Sequence, residues 1–306
     1  MVKIKKLGLL NNNAKRGNVM KLHFMKYRKI AYVISAALVL LSVLSLIFRG
    51  LNYGIDFAGG ISMEVKPIVA DYGIEQMRAA LNEFNPELQE VDGDAILLRV
   101  GLPKGATDAQ QNERVGEIKN ILGDNVQYSQ VQIVGPKIGG ELIRGGILAI
   151  LFAFIMMAVY VWIRYKGGYA IGAFGSLFLD FVLMFGFYSW TGLEFNQTSI
   201  AVILTAIGYS INDKVVNYDR IEENIKKYHK MPMADLIDLS VNEMLRRTML
   251  TSVSTLLAMV GLCLFGGQML REFAIAMGFS IIMGTFTSIY ISNMILYNFN
   301  LRDTDK

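Results

Sequence analysis

TSIAVILTAIGYSINDKVVNYDRIEEN, residues 198–224, decides the fold. Its first half, Thr198 to Ile211, is almost purely apolar and has the composition of a helix entering a bilayer. Its second half carries Asn212, Asp213, Lys214, Asp219 and Arg220. Along a helix rising 1.5 Å per residue, Asp213 lies about 20 Å from Thr198. That depth is inside a hydrocarbon core about 30 Å thick, though past its middle. An ionised carboxylate there is costly and ordinarily faces a bundle interior or a water-filled path. Helical spacing places Ala206, Tyr209, Ser210, Asp213, Val216 and Asn217 on one stripe, and such a mixture of small and polar residues suits a helix–helix contact rather than a lipid-facing surface. Two readings stand at this point. Asp213 is an intramembrane functional group, or Asp213 and Lys214 mark the cytoplasmic end of the span, with Lys214 snorkelling to the headgroups.

The wider chain carries more spans than one. Apolar residues make up 53% of the 306, with 17 Met and 17 Phe, more long apolar runs than a soluble core needs. Runs at 30–48, 145–163, 169–190, 197–215, 249–266 and 273–298 predict six transmembrane helices. Residues 1–29 hold nine Lys/Arg and no acidic residue, which holds the N-terminus in the cytoplasm; six spans return the C-terminus to the same side. Arg164 and Lys166 fall on the cytoplasmic side, and 214–247 carries seven Lys/Arg. Pro232–Arg247 is expected as an amphipathic helix along the inner surface. The basic arm is a topogenic signal, and no nucleic-acid role is expected for it.

Between the first two spans, the order of elements predicts a small domain. Ile61–Lys66 alternates as a strand, Tyr72–Phe84 has helical spacing with Asp71 as a cap, and Leu88–Val91 and Ala95–Val100 flank the turn Asp92-Gly93-Asp94. Thr107–Leu122 is a second helix capped by Thr107, and Val126–Val134 closes the set. The order β-α-β-β-α-β is that of a ferredoxin-like fold. Between Arg49 and Glu141 lie eight basic and fourteen acidic residues, which fits the external side. Just before the domain, LNYGIDFAGG (51–60) predicts a tight turn into a strand, with Asp56 satisfying nearby amides. Cys263 is the one cysteine, excluding an internal disulfide. His23 and His229 lie in basic segments and suggest no ligand set. With no nucleophile–base pair and no metal spacing, neither an enzyme nor a cofactor or metal site is expected.

The predicted architecture is therefore a polytopic α-helical membrane protein, six transmembrane helices with a small external α+β ferredoxin-like domain between the first and second. Its parts are a basic cytoplasmic N-terminus (1–29), the first helix (30–48), the external domain with linkers (49–141), a five-helix region (142–298) containing a cytoplasmic segment at 220–247, and a cytoplasmic tail (299–306).

Five stretches taken together resemble one family. NYGIDFAGG (52–60), VGPKIGGELI (134–143), IGYSINDKVVNYDRI (207–221), RRTMLTSVSTLL (246–257) and FGGQMLREFAIAMGFSIIMGTFTSIYIS (265–292) run in the order of SecF, the smaller membrane subunit of the bacterial SecDF export complex, within the RND superfamily. The resemblance implies a multi-pass protein of the bacterial inner membrane that pairs with SecD and assists export through SecYEG, with YajC and exported polypeptides as further partners, membrane lipids around it and protons as coupling ion. It assigns Asp213 as the proton-responsive carboxylate, Arg247 as its partner from the next span, and Asp180 as a further intramembrane acid. Gly54, Asp56, Gly59, Gly60, Asn212, Asp219 and Arg220 belong to the shared motifs. Position 214 is usually small or hydroxylated in that family and here is Lys; the residue before Asp180 is often His and here is Leu179. The other classes weighed are an RND-type half-transporter for lipids or hydrophobic compounds, and a non-transducing translocon scaffold.

The charge distribution makes a topology prediction. In a Cys263→Ala background, a cysteine at Lys227 stays inaccessible to impermeant reagent in intact cells, whereas a cysteine at Glu113 in the domain is labelled. Labelling at 227 overturns the predicted orientation.

Overall fold

The computed structural model describes residues 22–69, 72–91, 95–103, 106–165 and 167–299. Most of the basic arm, the Asp71 cap, the Asp92-Gly93-Asp94 turn, Lys166 and most of the tail lie outside these residues.

Helix α1 (Arg28–Phe48) leads to a one-turn helix α2 (Ile55–Ala58) and the sheet domain: β1 (Gly60–Pro67), α3 (Ile74–Ala80), β2 (Glu87–Val91), β3 (Ala95–Gly101), α4 (Asp108–Leu122) and β4 (Val126–Val134). The strands pair antiparallel in the order β2-β3-β1-β4, the ferredoxin-like arrangement that the element order predicts. Strand alternation sorts the residues between two faces. Ile61, Met63 and Val65 of β1 and Ile96, Leu98 and Val100 of β3 bury one face against Met77, Leu81, Ile118 and Leu122. Ser62, Glu64, Leu97 and Arg99 point the other way, toward the rest of the molecule. Thr107 caps α4 as expected, its hydroxyl taking the Gln110 amide while Gln110 returns a bond to the Thr107 amide.

The remaining helices are α5 (Pro136–Arg164), α6 (Gly167–Thr191), α7 (Gln197–Lys227), α8 (Met233–Phe265) and α9 (Gln268–Phe286), which runs through a π-helical turn (Thr287–Ile291) into α10 (Ser292–Tyr297). Six helices are long and apolar enough to cross a membrane. Over the apolar window of each, α6, α7 and the last helix are 56% buried, whereas α1 and α5 are 17% and α8 is 11% buried. The first three are therefore the centre and the others form the rim. Close packing between helices uses small residues. A side chain at Gly186 would overlap Ser42 of α1, and one at Gly284 would lie 3.2 Å from Ser210 Oγ.

Two expectations change. Pro232–Arg247 is not a separate surface helix: it is the first half of α8, because no Gly or Pro interrupts the chain between Met233 and Val260. Its Leu236, Ile237 and Val241 pack into the main apolar core. Helix α7 likewise continues to Lys227, so the 220–247 segment is an antiparallel hairpin that extends two spans. Asn224 Nδ2 donates to Ser240 Oγ at 2.9 Å, and Arg220 Nε to Glu243 Oε2 at 2.7 Å.

The glycine-rich stretch at 51–60 also departs from a simple turn. Ile55–Ala58 forms one helical turn, ended by Gly59 at φ 73°, a left-handed conformation that glycine adopts at little cost. Asp56 Oδ2 accepts the Gln197 amide at 3.1 Å, the first residue of α7, so a carboxylate meets the positive end of that helix. The carbonyls of Asp56 and Phe57 lie against Gly139 of α5. Phe195 and residues 52–54 exchange backbone bonds at 2.7 and 3.0 Å. One short motif thus fastens β1, α5 and α7 together. Beside this junction, where Val134 pairs with Gly60, β4 passes into α5 through the single residue Gly135.

A Cβ at Gly139 would sit 2.8 Å from the Phe57 carbonyl oxygen, whereas one at Gly140 would meet nothing within 4 Å. Gly139→Ala should lower the melting temperature of the purified protein by about 2–4 °C or more. Gly140→Ala, which gains helix propensity without a clash, should leave it unchanged or raise it. Equal behaviour of the two variants would refute the close contact.

Candidate functional site

Helix α7 carries Ser210, Asp213, Lys214 and Asn217 within eight residues, all buried. Successive helical residues diverge by about 100°, so these four serve two faces. Ser210 and Lys214, four apart, face α6 and the π turn. Asp213 and Asn217, also four apart, face α8 and the far side of the π turn.

On the first face, Lys214 is fully buried and gives its ammonium to Asp180 Oδ2 at 2.8 Å, Ser210 Oγ at 2.5 Å and Thr287 Oγ1 at 3.4 Å. Three donors meet three acceptors, which is the whole capacity of the group. Asp180 in turn accepts Ser210 Oγ–H on Oδ2 at 2.6 Å and Thr287 Oγ1–H on Oδ1 at 2.5 Å. Asp180 stands on α6 in the buried series Ala173, Ser176, Leu177, Asp180, Leu183, Met184, whose helical spacing aims it at α7. The cluster therefore joins α6, α7 and the last span.

On the second face, Asp213 Oδ2, Asn217 Oδ1 and Ser288 Oγ are buried and bond to nothing in the protein. They border a small cavity closed by Val241, Met244, Leu245, Thr248 and Ile289. Asn217 Nδ2 donates to Asn293 Oδ1 at 2.8 Å, and Asn293 Nδ2 donates to the carbonyls of Ser288 and Ile289 at 3.2 and 2.7 Å.

The other sequence-predicted residues fall elsewhere. Arg247 is exposed on α8, and within 4.0 Å no ion pair joins it to Asp213 among the described residues. Asn212 is exposed. Asp219 holds the α5–α6 connection, accepting Arg164 Nη2 at 2.5 Å and Tyr165 Oη at 2.9 Å. Arg220 bridges Glu223 and Glu243. Gly54, Asp56, Gly59 and Gly60 lie together at the domain's junction with the bundle. Among the described residues no group of three or more His, Cys, Asp or Glu is placed to hold a metal. Lys214 was singled out in the sequence without its partner Asp180, and Thr287, Ser288 and Asn293 are the site residues that sequence reasoning did not assign. Their signal was the polar run Thr285–Ser288 and Ser292-Asn293 inside an apolar span.

A second polar feature lies where the domain meets the bundle. A cleft of about 1010 Å³ separates the bundle-facing side of the sheet, with Glu64, Arg99 and Gln132, from the ends of α7 and α9. Arg99 of β3 pairs across it with Glu194, which precedes α7. Burial pushes the Glu194 carboxyl above its usual range and the Arg99 guanidinium pulls it back.

Removing one partner of a buried ion pair strands the other. Lys214→Met and Asp180→Leu should each cost about 3–5 kcal/mol, read as denaturant-induced unfolding in micelles. The double variant should cost less than either single one. Additive losses would show that the pair is not coupled.

Comparison with known proteins places this geometry in a family. Residues 115–302 match the family described as protein export membrane protein SecD/SecF, C-terminal, and residues 44–67 match the SecD/SecF GG motif. The chain is 40% identical over 303 residues to the protein translocase subunit SecF of Rickettsia rickettsii, covering 94% of this chain and 95% of that relative. It is 39% identical over 300 residues to the same subunit of Rickettsia prowazekii, covering 94% of each. Among solved structures, it is similar to the crystal structure of SecDF, a translocon-associated membrane protein, from Thermus thermophilus, with a TM-score of 0.81 and 30% identity. That match covers 97% of this chain and 42% of the other. SecDF in a super-membrane-facing form matches with a TM-score of 0.66 and 32% identity, over 93% of this chain and 39% of that one. Matched over 94% of its length by SecF subunits at about 40% identity, and carrying the SecD/SecF GG motif, the chain belongs to the SecD/SecF family of protein-export membrane proteins, as a SecF-type translocase subunit.

Proposed function

We propose that this chain works with a SecD partner to assist protein export through SecYEG, using the proton gradient of the bacterial inner membrane. Both termini lie in the cytoplasm and the ferredoxin-like domain lies outside, the orientation favoured by the basic N-terminal arm. The chain spans 42% of the Thermus SecDF chain, and a separate SecD would supply the counterpart of the rest. The rim helices α1, α5 and α8, mostly unburied along apolar windows, offer surfaces for that partner and for lipid. YajC and the exported polypeptide are further partners in this reading.

One observation carries the proton claim. Asp213 is buried, yet its Oδ2 bonds to nothing in the protein, while the adjacent Lys214 is fully engaged by Asp180, Ser210 and Thr287. A buried charge without a partner is relieved by neutralisation, which for a carboxylate means taking up a proton. Asp180 serves this arrangement by holding Lys214 away from Asp213. Arg247 on α8 is the cation that Asp213 meets when α7 and α8 shift. One charge crossing 100 mV supplies about 2.3 kcal/mol, and a few protons per cycle drive the movement of the domain in this reading. The movement reaches the domain through Asp56, which holds the first amide of α7, and through the Arg99–Glu194 pair.

The test is export of a reporter into inverted membrane vesicles, normalised to the amount of complex. Asp213→Asn, which keeps size but loses titration, should reduce export in the presence of a gradient to the level seen without one. Arg247→Lys, which keeps charge but loses the planar fork, should retain part of the stimulation. A scaffold would tolerate Asp213→Asn, so full stimulation in that variant removes the proton role. A half-transporter would export its substrate without SecD, so unchanged transport in a SecD-depleted membrane would favour that reading.

A further inference from the structure

Asp213 does not stand alone in its cavity. Asp213 Oδ2, Asn217 Oδ1 and Ser288 Oγ are each buried without a bonding partner in the protein. The three residues are at least nine-tenths buried, at 6%, 7% and 2% exposure. All three line a cavity of about 10 Å³, close to the room that one water needs. We propose that this cavity is a binding site for a single water molecule, held by Asn217 and Ser288 as positioning residues, through which the proton reaches and leaves Asp213. The inference rests on the proton role given to Asp213 above.

The orientation of each partner follows from the bonds around it. The carbonyls of Ser288 and Ile289 can only accept, so the group of Asn293 that meets them is its NH₂. Asn293 Oδ1 then accepts, and the Asn217 group facing it at 2.8 Å must be NH₂. Asn217 Oδ1 is thereby left as an acceptor. An ionised Asp213 Oδ2 is a second acceptor, and the Ser288 hydroxyl is free to donate. A water that donates to Asp213 and Asn217 and accepts from Ser288 makes three bonds, the usual number for a buried water. A sodium ion suits the site less well: three protein oxygens are fewer than a hard cation takes, and a cavity of about 10 Å³ has no room for waters to complete its shell.

The site has a structural origin. Ser288 lies in the π-helical turn Thr287–Ile291. Thr287, its neighbour, is held by Asp180 on the opposite side. The same turn thus serves both faces of α7. Charged groups whose fields reach Asp213 are Lys214 on its own helix and Arg247 on α8. The rest of the wall, Val241, Met244, Leu245, Thr248 and Ile289, carries no titratable group.

Infrared difference spectroscopy on the full chain, reconstituted with its co-purified partners, tests the site. Asp213→Asn identifies the carboxyl band and its titration midpoint. Exchange into H₂¹⁸O identifies any bound-water O–H stretch. The expected result is one isotope-sensitive band that is lost in Asn217→Leu and in Ser288→Ala, with the Asp213 midpoint displaced by a pH unit or more in both. Ser288→Thr, which keeps the hydroxyl, should retain the band. If Ser288→Ala does not accumulate, Ser288→Cys, a weak donor of similar size, is read in its place. An isotope-sensitive band that persists in both variants, or an unchanged midpoint, overturns the water site. A midpoint that follows sodium concentration at constant ionic strength assigns the cavity to a cation and overturns it equally. If no carboxyl band is lost in Asp213→Asn at any pH, the proton role of Asp213 fails, and the isotope band alone then decides whether the water is bound.

Discussion

The buried contact between Lys214 and Asp180 governs the rest of the membrane region. An ammonium removed wholly from water is tolerable only with a carboxylate beside it and every proton bonded. Here Ser210, Thr287 and Asp180 meet that demand. In doing so they fix the rotation of α7 against α6 and against the π turn of the last span. Because α7 is held in that rotation, the next residue back, Asp213, is turned toward α8. The side of α7 that carries a counter-charge and the side that does not are thus set by one ion pair.

The glycine junction plays the corresponding part at the domain. Asp56 holds the first amide of α7, Gly139 brings α5 against the Phe57 carbonyl, and Gly59 turns the chain into β1. Helix α7 has 31 residues, a rod about 46 Å long at 1.5 Å per residue. Its first residues touch the domain, its middle bears Asp213 and Lys214, and its last turns form the hairpin with α8. A small rotation at the ion pair is therefore felt at both ends of the same rigid element.

Much of this was legible before any coordinates. Alternation in Ile61–Lys66 and Ala95–Val100 and the Thr107 cap specified the ferredoxin-like sheet, since burial on one face enforces a period of two. Six apolar runs gave six spans. Helix ends were less legible, because hydropathy marks where lipid stops rather than where hydrogen bonding stops. Hence Met233–Arg247, polar enough to leave the bilayer, still continued as helix α8. The site was legible by residue type but not by pairing. Ser210 lies three residues before Asp213 and four before Lys214, and either spacing places it on a shared face. Only the position of Asp180 on the neighbouring helix resolves which of the two it joins. The one-turn helix at Ile55–Ala58 was hidden because four residues are too few to show a period.

The joint between β4 and α5 has a further meaning. Val134 ends the strand and Pro136 begins the helix, with Gly135 alone between them. No slack exists there to absorb a change of length. Adding one residue would turn the whole of α5 by about 100° relative to the sheet and shift it by about 1.5 Å, carrying Gly139 away from the Phe57 carbonyl. The joint therefore behaves as a keyed shaft coupling: the phase between sheet and helix is built into the residue count. Drift by insertion or deletion is closed to this boundary, whatever substitutions its side chains accept.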